Sequence, residues 1–402
     1  MTAPVGLVPA ALSAAGLRAP QYGGDCLDGV LPAALGALGV AFGAGDGRDA
    51  EGARTHFGVP RTDRVCVVLV DGLGHNLLTE RAGHAPFLRG RLADTRVLTA
   101  GFPSTTAASI GLFGTGRSSG RTGLAGYTVR NPSTGRLANL VSWEGLDAAP
   151  AWQREPSLVR VAADAGVAVT SVGPARFAGS GLTVAALGGG AYVSAESLDE
   201  RVDATLAALR RPGLVYLYWG DVDKVGHHAG WRSPEWGDAL SEVDRGLATL
   251  ARRLPGGAVL LVTADHGQVD VDPAAIVDVA HRPALAAGVE LVAGEPRAAH
   301  VYLSDASVDA TAVVVERWRA ELGDMALIAT RDEAIAAGWF GEVAPHVRPV
   351  LGDLVVAALG TGGAGTGGVG DSRTQTAASL RLRGMHGSLT PGEMLVPLVV
   401  VA

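Results

Sequence analysis

Cysteine is nearly missing from this chain: Cys26 and Cys66 are the two among 402 residues. That excludes a small disulfide-framed scaffold. Because Cys66 lies inside an apolar run, both read as small core hydrophobes. Lysine is scarcer still. Lys224 stands alone, arginine supplies the rest of the positive charge, and the formal net charge is −7. An anionic excess does not suit a nucleic-acid scaffold, which needs clustered cations. The Ala/Leu-rich start, Met1 to Leu17, has no basic lead and is broken by Pro4, Gly6 and Pro9. It reads as neither a secretory leader nor a membrane span, and the cytoplasm is the expected compartment.

Glycine and apolar residues are plentiful, with 57 glycines and 48% hydrophobic content, as in a compact chain with many tight loops. The organising stretch is Arg64 to Val70, RVCVVLV, running into Asp71-Gly72-Leu73-Gly74. Val, Leu and Cys without clean alternation predict a strand buried on both faces. In an open α/β sheet, ligands sit outside the carboxyl ends of such strands. A carboxylate there stays ionised when a cation neutralises it.

Around that stretch the pattern predicts a helix from Pro32 to Val40 and a Gly/Asp-rich lead-in over Gly43 to Arg54. Glu80 to Leu92 reads as a helix and Arg96 to Thr99 as a strand. Pro103, followed by Ser104, Thr105 and Thr106, reads as a helix start with spare hydroxyls. Residues 117–145 carry turn signals and predict a surface hairpin. Helix and strand then alternate: Pro156 to Ala165 before Val167 to Val172, and Leu198 to Leu209 before Leu214 to Tyr218. An amphipathic helix opening at Pro234 precedes Ala258 to Thr263. Such alternation indicates βαβ units on a mainly parallel sheet. Beyond Val269 come short strands near 289–292 and 299–303 and a helix over Ala310 to Glu321. Asp353 to Ala358 reads as a strand returning to the core. Gly360 to Gly370 reads as a mobile loop without a phosphate-binding lysine, and Met394 to Val400 as the last strand. The expected organisation is a peripheral segment over 1–60, an α/β core over 61–269 and 350–402, and a cap-like insertion over 270–349. No internal repeat is visible.

Polar clusters follow the strand-like runs: Asp71, the stretch Asp221 to His228, Asp265-His266-Gly267, and Gly384 to Ser388. The hydroxyls of Ser104, Thr105 and Thr106 join them. Singly, each has an ordinary explanation. Asp265-His266-Gly267 makes a capped turn, His227-His228 a solvated loop pair, Ser104 to Thr106 an N-cap cluster, and His386 a structural histidine. Their joint placement after strands points to chemistry instead. Mixed carboxylate and imidazole donors suit Zn²⁺ or a similar divalent ion. There are enough for two ions, and such a pair clamps an in-line displacement at phosphorus.

In this order, Asp71-Gly72, Pro103-x-x-Thr106, Asp223-x-x-Gly226-His227, Asp265-His266-Gly267 and His386-Gly387 resemble the alkaline phosphatase superfamily. The nearest branch is the type I phosphodiesterases/nucleotide pyrophosphatases, and the resemblance runs from about Val65 to the C-terminus. It implies an α/β, alkaline-phosphatase-like three-layer sandwich with a mainly parallel central sheet and a small cap insertion. It implies hydrolysis of phosphodiester or pyrophosphate bonds in a small-molecule substrate, nucleotides included. One divalent ion falls to Asp71, Asp265, His266 and the nucleophile hydroxyl, the other to Asp223, His227 and His386. Zinc is the first expectation, with manganese or iron as alternatives. Thr106 maps to the nucleophile, forming a phosphothreonine that water releases; Thr105 is the runner-up. Asp221 rivals Asp223 but lacks the spacing to Gly226-His227.

Two departures stand out. Where that branch carries an asparagine holding a phosphoryl oxygen, this chain has Tyr127. Its phenol either serves the substrate or packs in the hairpin. The aromatic residues after the nucleophile are replaced by Ala107-Ala108-Ser109. Arg297, His300 and Arg348 are candidates for reaching a substrate phosphate. Arg117 and Arg121 are the basic residues near the motifs. So little positive charge favours a diester, because a monoester brings another anionic oxygen. A phosphomonoesterase on the same scaffold and a non-catalytic metal-binding protein are the other readings. Pro103-Ser104-Thr105-Thr106 does not match the sulfatase motif.

Overall fold

The structure, a computed structural model, describes residues 6–43 and 49–402. β1 (Arg64–Val70) and β2 (Arg96–Thr99) come first, then a hairpin of β3 (Thr128–Arg130) and β4 (Leu137–Asn139). β5 (Val169–Gly173), β6 (Ala191–Ser194), β7 (Gly213–Trp219) and β8 (Val259–Thr263) come next. β9 (Val289–Glu295), β10 (Ala298–Leu303), β11 (Ala326–Thr330) and β12 (Leu354–Ala358) form a separate sheet, and β13 (Leu395–Val401) closes the chain.

The central sheet has seven strands in the order β2-β13-β8-β1-β7-β5-β6. Pairings from β8 through β6 are parallel, and β13 runs antiparallel between β2 and β8. Val65 to Val70 of β1 are at most 1% exposed, so both faces of the strand are covered. That is the burial an unalternating Val/Leu/Cys run requires. The helix Val30–Ala37 packs on β1, and Leu198–Ala208 packs on β7 and β5.

Two expectations are corrected and a third is narrowed. The described part of residues 1–60 is not peripheral: Leu12, Leu27, Val30, Leu31 and Leu35 are wholly buried in the main core. Every residue of Val30–Ala37 is buried, and a helix apolar all round gives no amphipathic signal although it belongs inside. Gly36 lets the next helix, Ala50–Phe57, cross closely, since a Cβ there would lie 2.1 Å from the Ala50 carbonyl oxygen. The expected lead-in from Gly43 falls partly on 44–48, outside the described residues. The helix expected over Glu80 to Leu92 is two short helices, His75–Glu80 and Pro86–Arg89, divided at a position where Pro86 restarts the turn. Third, β12 returns to the main core through Val355 and Ala357, as expected, but it does not join the central sheet. It pairs antiparallel with β10 and β11 in the sheet β9-β10-β12-β11. A fully apolar strand reads alike in either sheet, because its pattern reports burial and not partner.

The smaller sheet has its own apolar cluster, with Val301, Trp318 and Leu354 at its centre, under the helix Val308–Leu322. Ala298, Leu327, Ala329, Val355 and Ala357 on its other face belong to the main core, and two buried polar side chains add further ties. Arg297 donates through Nε and Nη2 to both carboxylate oxygens of Glu393, at 3.1 and 2.8 Å. The same guanidinium donates to the Gly367 and Gly360 carbonyls at 2.7 and 2.6 Å, anchoring both ends of the glycine-rich loop. His300 accepts at Nδ1 from the Gly352 N–H (3.1 Å) and donates from Nε2 to the Ala125 carbonyl (2.7 Å). Those partners suit the neutral ring, and burial pushes His300 down to about 4.

Arg297→Met is expected to lose roughly 3–5 kcal/mol of stability in urea unfolding, because Glu393 is left buried without its cation. His300 resists a proton that the unfolded chain accepts near its usual 6.5. Its stabilising effect is therefore complete above that value and is lost as pH falls toward the folded-state value. At about pH 5 the loss is roughly 2 kcal/mol. Urea midpoints of wild type and His300→Gln, compared at neutral and mildly acid pH, should converge on the acid side.

Candidate metal centre and active site

β8, β1 and β7 are neighbours in the sheet, so the residues just beyond each strand converge at one edge. Asp71 follows β1, Asp265 follows β8, and Asp223 enters on the helix Asp221–Ala229 after β7. All three carboxylates are buried. Gly72 makes the approach possible: it adopts φ 72°, and a Cβ there would lie 2.8 Å from the Asp223 Cβ. Its N–H donates to Asp265 Oδ1 at 3.1 Å. The Tyr218 hydroxyl donates to Asp71 Oδ2. Residues four apart share one helix face, which brings His227 to Asp223, Nε2 to Oδ2 3.1 Å. Asp221 and His228 are exposed. The expected solvated pair at His227-His228 is thus a helical turn with one histidine turned in.

The three imidazoles are held alike. His227 Nδ1 donates to the Gly384 carbonyl (2.7 Å), His266 Nδ1 to the Gly267 carbonyl (3.0 Å) and His386 Nδ1 to the Ser104 carbonyl (2.9 Å). A backbone acceptor on Nδ1 fixes the tautomer and leaves Nε2 as the free donor atom, the arrangement of a metal-ligating histidine. His266 Nε2 lies 3.4 Å from Asp71 Oδ1 and 3.5 Å from Asp265 Oδ2. His386 Nε2 lies 3.8 Å from Asp223 Oδ1, and its ring stacks on His266 at 3.6 Å. Two compact groups result, Asp71/Asp265/His266 and Asp223/His266/His386, each with ligating atoms within 4.8 Å of one another. His266 is within reach of both groups, which the sequence did not indicate. His227 adjoins the second through Asp223.

These donors fit divalent cations. Asp71 Oδ1, Asp223 Oδ1 and Asp265 Oδ2 are buried and accept no hydrogen bond among the described residues. Burial, then the Asp265 and Asp223 charges, hold the Asp71 carboxyl well above the usual range. Three such groups side by side are costly without positive charge between them.

The groups open into a cavity of about 840 Å³. Thr106 starts the helix Thr106–Thr115, and its Oγ1 lies 3.2 Å from His266 Nε2 on the cavity wall. Thr105 also lines the cavity, but its Oγ1 is buried and unpartnered. Ser104 is structural. Its hydroxyl donates to the Ser388 carbonyl at 2.7 Å while its own carbonyl holds His386. Tyr127 lies at the rim, 46% exposed, so it is not a packed hairpin residue.

The basic residues considered for phosphate contact are occupied elsewhere. Arg297 and His300 tie the smaller sheet to the core, and Arg348 pairs with Asp332 at the surface. Arg121 bridges Glu155 and Glu342, and Arg117 faces Glu155. Sequence reasoning missed Tyr218, Asn139 and Glu295, all on the cavity wall. Tyr218 is hidden in a strand of apolar and aromatic residues, and Asn139 and Glu295 sit at hairpin positions where polar residues are ordinary. The aromatic wall absent after Thr106 is supplied by Phe177, Tyr192, Tyr216 and Tyr218.

Carboxylates at neighbouring strand ends and imidazoles pinned by the backbone form candidate metal-binding groups beside a threonine at a helix start, on the α/β fold of a phosphoric ester hydrolase. The family model for type I phosphodiesterase / nucleotide pyrophosphatase matches residues 65–388, and the chain belongs to that family, within the alkaline phosphatase superfamily. Human ectonucleotide pyrophosphatase/phosphodiesterase family member 5 is 33% identical over 67 residues, 15% of this chain and 14% of that protein. The murine enzyme of that name superposes with a TM-score of 0.65 at 17% identity, covering 83% of this chain and 87% of its own. Phosphonoacetate hydrolase from Sinorhizobium meliloti, solved with phosphonoformate, gives 0.67 at 21% identity, covering 90% and 93%.

Chelator-stripped protein is expected to melt lower than protein reloaded with Zn²⁺, since a cation binding only the folded state stabilises it by mass action. Asp71→Asn should lower metal content measured by elemental analysis. In the stripped protein the same change should raise the melting temperature, because one of the opposed charges is gone.

Proposed function

We propose that this protein hydrolyses small-molecule phosphodiesters through Thr106, with two divalent cations, zinc first, held by Asp71, Asp265 and His266 and by Asp223, His227 and His386. The observation that carries the reading is the position of Thr106 Oγ1, beside His266 and open to the cavity. The cations supply charge stabilisation at phosphorus and lower the pKa of bound hydroxyls. Thr106 Oγ1 attacks phosphorus, the bond to the leaving oxygen breaks, and an alcohol departs. Water then cleaves the phosphothreonine and restores the hydroxyl. Because Thr106 opens a helix, its unpaired N–H groups favour the anionic phosphoryl group. Tyr127, on the rim, is suited to donate one hydrogen bond to the substrate or to stack on it.

An inactive variant of the murine relative was solved with AMP, which supports testing nucleotide esters here. No helix among the described residues is long and apolar enough to cross a membrane. A cytoplasmic location is part of the proposal, checked by fractionation.

Thr106→Ala is expected to keep its fold and metal while hydrolysis of bis-p-nitrophenyl phosphate falls by at least about 10³-fold. Thr105→Ala should retain most activity. Faster turnover of p-nitrophenyl phosphate than of the diester would make the protein a phosphomonoesterase instead. Undiminished activity in Thr106→Ala would remove the threonine from the mechanism.

A further inference from the structure

Outside the carboxylate groups, the cavity wall lacks positive charge. Among the described residues lining it there is no lysine or arginine, and the charged side chains beyond the proposed metal ligands are Glu144 and Glu295. A polyphosphate chain extending from phosphorus would meet carboxylates and no side-chain cation, an arrangement that repels it.

Glu144 is exposed at the rim, but Glu295 reaches inward. It ends β9 at the turn of the β9–β10 hairpin, and its Oε2 accepts the Tyr127 N–H at 2.9 Å. Its Oε1 is buried with no partner. A Cβ at Gly387, the residue after His386, would lie 3.0 Å from Glu295 Cγ and 3.1 Å from Oε1. One oxygen is thus fixed by the backbone while the other stays uncommitted beside the His386 loop. The Tyr216 hydroxyl is a second buried, unpartnered polar group on the same wall. A site whose polar groups lack partners discriminates strongly in favour of a substrate that supplies them.

We infer that the phosphodiester carries an uncharged, hydroxyl-bearing substituent whose hydroxyl pairs with Glu295, and that polyphosphate esters are disfavoured. A hydroxyl both donates and accepts, so it satisfies this carboxyl whether ionised or protonated.

The inference rests on the phosphodiesterase reading, and one experiment separates the two. Glyceryl p-nitrophenyl phosphate and methyl p-nitrophenyl phosphate share charge and leaving group and differ in hydroxyls. With Zn²⁺-loaded wild type, kcat/KM for the glyceryl ester should exceed that for the methyl ester by about 10- to 100-fold. ATP should be a poorer substrate than the glyceryl ester. Glu295→Met should bring the glyceryl-to-methyl ratio close to unity. Glu295→Gln, whose amide still accepts from Tyr127 and still pairs with a hydroxyl, should keep most of the ratio. Equal losses on both esters in Glu295→Met would reduce Glu295 to a structural tie. A wild-type ratio near unity, or faster turnover of ATP, overturns the inference even if the Met variant fails to fold. Hydrolysis of neither diester by loaded wild type would overturn the phosphodiesterase reading itself.

Discussion

Three carboxylates buried side by side at neighbouring strand ends are the constraint on which the rest of the molecule depends. Asp71, Asp223 and Asp265 are crowded together and largely buried at the floor of the cavity, and each keeps an oxygen without a hydrogen bond. No folding advantage accrues from such an arrangement by itself. Its surroundings hold it open: the Gly72 backbone passes where a side chain would collide with Asp223, and the Gly72 N–H and the Tyr218 hydroxyl each steady one carboxylate.

The imidazoles are constrained from the other side. Each Nδ1 is spent on a main-chain carbonyl, so ring orientation depends on backbone position and not on any single side chain. Ser104 makes the link between the two halves. Its N–H donates to the Gly387 carbonyl and its hydroxyl accepts from the Gly387 N–H, while its carbonyl holds His386. The turn leading to Thr106 and the loop carrying His386 are therefore one hydrogen-bonded unit.

Much of this was legible in the sequence because it is local. A buried parallel strand announces itself by an unalternating apolar run, and Asp71 and Asp265 fall where such runs end. The spacing from Asp223 to His227 is a helical turn that needs no tertiary information. What was not legible is pairing between distant segments. The apolar run of β12 does not reveal that it joins the smaller sheet, and Val30–Ala37, buried all round, lacks the stripe that would mark it as core. Arg297 could be read as a phosphate contact until its fold partner, Glu393, was known. Glu295 and Tyr218 were missed for the same reason, since neither sits in a pattern that separates it from ordinary hairpin and strand residues.

The proposed metal donors come from the ends of central-sheet strands and from the helix and loops that follow or precede them, whereas part of the cavity wall is borrowed from the β3–β4 hairpin, the turn after β9 and the 374–382 segment. Those borrowed pieces have their own hydrogen bonds and, in the smaller sheet, their own apolar cluster. Changes in those pieces of the wall can thus accumulate without disturbing the ligand geometry, unlike changes at Tyr218, which lines the cavity and holds Asp71. Descendants of such a chain are free to exchange one ester for another while the reacting centre stays as it is, and an engineer has the same latitude.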